Sequence, residues 1–298
     1  MTPEVAVSEE RFARVGELEL CWQGFGEQSD PPLLMIMGLG AQMILWPDEL
    51  CELIAARGFR VIRFDNRDSG RSTKLDGAPA GSIQDALAGS IPEGAYTLSD
   101  MAGDAGGLLE ALGIERAHVV GASLGGMIAQ TLADDRPELV LSLASIMSTT
   151  GNPEVGRPTP QGLAGLTTVP PRDRDGYVNA LIGARKLIAS PGYPFDEDRS
   201  TRIARLGFDR GYFPEGTMRQ TVAILASGDR TERLGEIKAP TVVIHGEDDP
   251  LIDVSGGKAT AAAIPGSKLV VIPGMGHDFP AGVWDQVADK IAANAKRA

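Results

Sequence analysis

The stretch AHVVGASLGGM, residues 117–127, decides how the rest of the chain is read. A short apolar run, Val119 and Val120, meets Gly121-Ala122-Ser123-Leu124-Gly125, and a helical pattern continues through Ile128, Leu132 and Ala133. Strand, sharp turn, serine, helix is the setting of a G-x-S-x-G elbow, in which the serine hydroxyl projects from a strained apex into a cleft. Small residues two before and two after the serine let strand and helix approach closely. A chain with 37 glycines among 298 residues produces this pattern by accident in about one case in four. The serine therefore counts only if the rest of the chain supplies a base, an acid and donors for a developing negative charge.

Outward from this stretch, strands and helices alternate. Residues 17–22 alternate apolar and polar as a strand does, and residues 33–37 (LLMIM) and 59–64 (FRVIRF) read as strands buried on both faces. Between the latter two, Trp46, Leu50, Leu53 and Ile54 fall at helical spacing, with Gly58 as terminator. Residues 73–95 read as irregular. Thr97 predicts an N-cap for a helix through Ala111, with Asp100 in its first turn and Gly113 beyond its end. Residues 140–146, 241–245 and 268–272 are further strands, and 256–264 and 283–296 further helices. This rhythm predicts an α/β class: a mostly parallel central sheet with helices on both faces. It breaks over residues 150–235, where Pro158, Pro160, Pro170 and Pro171 punctuate helical stretches and no buried strand is visible. That segment is expected to be a helical cap inserted into a core of residues 1–149 and 236–298.

The balance of 28 basic against 40 acidic residues gives a formal charge of −12, which argues against nucleic acid and anionic membranes as partners. The longest apolar stretch, residues 33–46, is too short and too broken by glycine to span a bilayer. The first residues lack a basic-then-apolar leader pattern. The two cysteines, Cys21 and Cys51, have no C-x-x-C or metal-ligand spacing, so buried free thiols in a reducing cytoplasm are expected. No H-E-x-x-H, Walker or G-x-G-x-x-G sequence is present, and neither a cofactor nor a metal is expected. A monomer and a homodimer are both compatible with the sequence.

A serine hydroxyl is a poor nucleophile until a histidine takes its proton and a carboxylate orients that histidine. The chain has three histidines, which sharpens the test. His118 starts the strand before the elbow and faces away from its tip. His245 ends a buried strand, where a packing role is expected. His277 lies in Pro273-Gly274-Met275-Gly276-His277, a flexible loop just after a strand, and is the candidate base. The acid is sought in His245-Gly246-Glu247-Asp248-Asp249-Pro250, directly after a strand; Asp249 is favoured, then Asp248, then Asp253. Crowded carboxylates at a strand end are costly unless one has a partner, and His277 can be that partner. For the oxyanion, the N–H of Leu124 follows the serine, and the N–H of Leu39 lies in Gly38-Leu39-Gly40, after an early strand. Trp46, Tyr212, Phe213 and Phe279 are candidates to line a substrate pocket.

Taken together, MGLG, DNRDSGRS, GASLGG, HGEDDP and GMGH, in this order and spacing, resemble the α/β-hydrolase fold superfamily over nearly the whole chain. Within it the sequence is similar to the aclacinomycin methylesterase-like esterases. The resemblance implies a serine carboxylic-ester hydrolase with Ser123, Asp249 and His277 as triad, acting on a small or medium ester, including a methyl ester of a polycyclic compound. Two departures stand out. Many members carry His-Gly where this chain has Met37-Gly38, and many carry glycine where Asp68 stands. The same residues also serve C–C hydrolases, thioesterases and perhydrolases, and a non-catalytic small-ligand sensor is the competing class.

Overall fold

The computed structural model describes residues 5–298; residues 1–4, assigned above to the core, lie outside the described residues. Eight strands form one sheet in the order β1-β2-β4-β3-β5-β6-β7-β8. They are β1 (Arg11–Val15), β2 (Leu18–Phe25), β3 (Pro32–Ile36), β4 (Arg60–Phe64), β5 (Ala117–Ala122), β6 (Val140–Ile146), β7 (Thr241–Gly246) and β8 (Lys268–Ile272). β2 runs antiparallel to both neighbours, and every pairing from β4 to β8 is parallel. The strand β1 is not foreseen in the sequence. Its residues are mostly exposed and bury no continuous face, so it carries little hydrophobic signal.

Among the described residues the helices are α1 (Asp48–Ala55), α2 (Ile83–Leu87), α3 (Leu98–Ala111), α4 (Leu124–Asp135), α5 (Pro160–Thr167), α6 (Arg174–Ile188), α7 (Glu197–Arg210), α8 (Pro214–Ser227), α9 (Thr231–Leu234), α10 (Val254–Ala263) and α11 (Trp284–Ala295). Two differ from expectation. The helix placed from Trp46 begins at Asp48, after a 3-10 turn over Met43–Leu45, because Pro47 cannot donate within a helix and serves as its N-cap. The stretch read as irregular contains the short α2, whose N-cap hydroxyl, Ser82, accepts from the Asp85 N–H. The Thr97 cap forms as the sequence predicts. Thr97 and Asp100 exchange side chain and backbone hydrogen bonds in a capping box.

The continuous apolar strands divide their side chains by alternation. Leu34 and Ile36 of β3, with Val119 of β5, pack against Leu108 and Leu109 of α3 and Ile128 and Leu132 of α4. Leu33 and Met35, with Val120, pack on the opposite face against Leu50 and Ile54 of α1 and Val287 and Ile291 of α11. Each such side chain contributes about 1.5–3 kcal/mol when fully buried, so the sheet is fixed from both sides. The carboxyl ends of β3, β5, β7 and β8 consequently converge on one edge of the core.

Helices α5–α9 all lie between β6 and β7, where the strand rhythm breaks. Two of them, α7 and α8, dock on the core through buried charge. Arg219 of α8 donates Nε and Nη2 to the two carboxylate oxygens of Asp68 at 2.8 and 3.0 Å. Asp68 also accepts from the Tyr96 hydroxyl at 3.0 Å and from the Leu75 N–H at 2.8 Å. Its φ is +67°, which explains why glycine can stand there in similar chains: aspartate tolerates the left-handed region, and here its carboxylate anchors the loop. Arg210, at the end of α7, reaches both Asp65 and Glu10 and donates to Gln42 Oε1 at 2.9 Å.

Candidate active site

Ser123 sits between β5 and α4 at φ +55°, ψ −121°. A non-glycine residue holds such a conformation only when its surroundings over-determine it. Here the close approach of helix to strand does so. A Cβ at Gly121 would lie 2.0 Å from the Gly125 carbonyl oxygen, and one at Gly125 would lie 2.0 Å from the Ile36 carbonyl oxygen. The two elbow glycines are therefore obligatory, and the serine backbone between them is fixed. The Ser123 N–H donates to the Ile146 carbonyl at 2.9 Å, and the Ser148 hydroxyl donates to the Ser123 carbonyl at 2.8 Å.

The three side chains singled out in the sequence come together. His277 Nε2 lies 3.0 Å from Ser123 Oγ, and His277 Nδ1 lies 2.7 Å from Asp249 Oδ2. The other oxygen, Asp249 Oδ1, accepts from the N–H groups of Leu251 and Ile252, each at 2.9 Å. Burial pushes the Asp249 carboxyl up, but the His277 charge and hydrogen bonds from His245 and His277 outweigh it and hold it well below the usual carboxylate range. In the neutral imidazole, an Nδ1–H donated to the Asp249 carboxylate leaves Nε2 free to accept from the serine. The other two carboxylates have different partners. Asp248 accepts from the Gly274 N–H at 3.0 Å, and Asp253 from the Ser255 N–H at 2.9 Å as the N-cap of α10.

The histidine loop is held from the inserted helices. The His277 N–H donates to the Ile188 carbonyl at 2.8 Å, and the Gly276 N–H to Ser190 Oγ at 2.8 Å. Ser190 is in turn bound by the carboxylate of Asp278. His245 is fully buried, with Nε2 2.8 Å from the Ile252 carbonyl and 3.5 Å from Asp249 Oδ2. His118 pairs with Ser142 Oγ at 2.9 Å and packs edge-on against Phe59, away from Ser123.

Gly38 abuts the serine: a Cβ there would lie 3.1 Å from Ser123 Cβ and 3.6 Å from Ser123 Oγ. The following amide, of Leu39, and the first amide of α4, of Leu124, flank that contact. Among the described residues neither N–H is donated to a protein acceptor. The four aromatic candidates for substrate contact lie in two places. Trp46 is fully buried and packs against Phe279 with ring centroids 5.0 Å apart, as part of the core face formed by α1 and α11. Tyr212 and Phe213 instead line a small recess with Gly40, Asp68, Tyr177 and Thr217. Sequence reasoning gave no role to Gln220 and Asn66, which bind the Gly38 loop: Asn66 lies within the DNRDSGRS motif, and Gln220 lies in none.

Cys21 and Cys51 are buried and unpaired, and burial raises both thiols to about 12. Among the described residues no cluster of three or more His, Cys, Asp or Glu is placed to hold a metal ion. None of their helices is long and apolar enough to cross a membrane.

A mostly parallel sheet with Ser123 at the β5–α4 turn and its partners after β7 and β8 defines a class, and the chain belongs to it: residues 31–280 match the alpha/beta hydrolase fold family. The likeness extends to individual proteins. The chain is 31% identical to the rhodomycin D methylesterase DauP of Streptomyces sp. (strain C5), over 97% of this chain and 98% of that one. It is 30% identical to the rhodomycin D methylesterase DnrP of Streptomyces peucetius, over 95% of this chain and 96% of that one. Among solved structures, the enol-lactonase from Burkholderia xenovorans LB400 superposes with a TM-score of 0.72 at 24% identity, covering 96% of this chain and all (100%) of that one. The last likeness concerns the fold alone.

Proposed function

We propose that the chain is a serine hydrolase that cleaves carboxylic esters, methyl esters included, through an acyl-enzyme. The observation that carries this reading is the unbroken line Ser123 Oγ, His277, Asp249, with contacts of 3.0 and 2.7 Å. As Ser123 Oγ attacks the ester carbonyl carbon, its proton passes to His277 Nε2. The negative charge on the carbonyl oxygen is met by the N–H groups of Leu39 and Leu124. His277 then gives the proton to the departing alcohol, leaving an ester on Ser123. Water attacks that ester with His277 again as base, and the carboxylic acid leaves. Asp249 stays ionised throughout and stabilises the imidazolium. The rhodomycin D methylesterases, similar over nearly the full length, support methyl esters as substrates.

Residues 150–235 serve as the cap over this centre. Their support for that role is local: the end of α6 holds the His277 loop, and α8 reaches the loop after β3.

Hydrolysis of p-nitrophenyl acetate and butyrate tests the reading. Ser123→Ala is expected to lower kcat/KM by about 10³-fold or more. Wild-type turnover no faster than Ser123→Ala would favour the sensor class instead.

A further inference from the structure

We propose that Gln220 is a positioning residue for this reaction: it holds the Gly38-Leu39-Gly40 loop so that the Leu39 N–H meets the developing oxyanion. The assignment rests on the ester-hydrolase reading above.

Gln220 lies on α8 and is completely buried, at 0% exposure. Its Oε1 accepts the Gly40 N–H at 2.9 Å. Its Nε2 donates to the Arg67 carbonyl at 2.9 Å and to Ser69 Oγ at 3.0 Å. The amide orientation is unambiguous, because the Gly40 N–H can only donate and the Arg67 carbonyl can only accept. One side chain from the inserted helices thus ties the loop after β3 to the loop after β4.

The peptide that matters is the one between Gly38 and Leu39, since it carries the Leu39 N–H. Its neighbours are each fixed by a buried side chain. On one side, Asn66 Nδ2 donates to the Met37 carbonyl at 2.9 Å. On the other, Gln220 fixes the Leu39–Gly40 peptide through the Gly40 N–H. The Gly38 carbonyl accepts from the Ala41 N–H at 3.3 Å, and in a trans peptide the N–H points opposite to the carbonyl. The Leu39 N–H is therefore directed away from the turn, with its plane held from both ends. Gly40 itself has φ +62°, and a Cβ there would lie 2.7 Å from Thr217 Oγ1, one turn before Gln220 on the same helix. The helix meets this loop at two successive turns, so α8 cannot lift without releasing it.

Preorganised donors act on the transition state more than on the bound substrate, which separates this role from general structural support. In Gln220→Met, kcat for p-nitrophenyl acetate is expected to fall about 10- to 100-fold with KM changed less than about 3-fold. Affinity for a boronic acid, whose adduct with Ser123 is a tetrahedral anion, should fall by the same factor as kcat/KM. Ser69→Ala, which leaves the Gly40 contact but removes one anchor of Gln220, should show a smaller drop in kcat with the same pattern. It carries the test if Gln220→Met does not fold. Wild-type kcat and boronate affinity in the folded variants, or a loss confined to KM, would overturn the proposal. Failure of the ester-hydrolase reading has its own signature: wild-type turnover that does not exceed Ser123→Ala and a boronate that leaves residue 123 unmodified.

Discussion

Asp249 is buried and yet stays charged because its oxygens are saturated: two backbone N–H groups on one, His277 on the other. Its folded pKa lies below the value near 3.9 expected of an unfolded aspartate. The charged form therefore adds stability at pH values above about 4, and that share is lost as pH falls through the lower folded value. Asp249→Asn should be less stable than wild type at neutral pH, and the gap should narrow as pH drops below about 4. Urea midpoints of both proteins at pH 7 and pH 3 check this; an unchanged gap would mean that the carboxylate's charge is not the source. The same variant should lower kcat by about 10⁴-fold, because the amide favours the wrong imidazole tautomer. At this scale much was legible in the sequence. With three histidines available, their positions relative to the strands singled out His277. Among the three nearby carboxylates the sequence ranked Asp249 first, and it is the one that meets His277, while Asp248 and Asp253 accept from the Gly274 and Ser255 N–H groups.

Helix α8 joins the inserted segment to the core by side chains whose partners are far away in the chain. Arg219 and Asp68 are 151 positions apart, which is why no pattern in the sequence announces the pair. Capping and alternation are local and were readable, as Thr97 with Asp100 shows. Long-range ion pairs and edge strands such as β1 are not, because neither leaves a periodic trace. Arg219→Met leaves the Asp68 carboxylate buried without its cation, at a cost of about 3–5 kcal/mol. Hydrogen exchange should then quicken in α8 and in the loop holding Asp68, while β5 and α4 keep their protection. Uniform loss of protection throughout would show that the pair supports the whole fold rather than the docking of one helix.

Across the molecule, two apolar layers fix the sheet, and a buried charge cluster closes the rest over it. Arg210 stands between Asp65, after β4, and Glu10, just before β1. The α/β class and the resemblance to the α/β-hydrolase fold were readable from motif order, and the family match bears them out. The dependence of the inserted helices on the amino-terminal arm was not. A chain beginning at residue 11 should keep its sheet but melt at a lower temperature and lose ester turnover. Thermal denaturation and p-nitrophenyl acetate kinetics of the shortened and full chains would measure this; equal values would remove Glu10 from the cluster's role. The cluster also bears on biosynthesis. Glu10 and Arg210 are separated by 200 positions. At about 5–20 residues per second, the acid is incorporated roughly 10–40 s before its guanidinium partner. Throughout that interval the nascent half-sheet carries carboxylates that water must solvate, so it stays open at that corner until translation has passed residue 210.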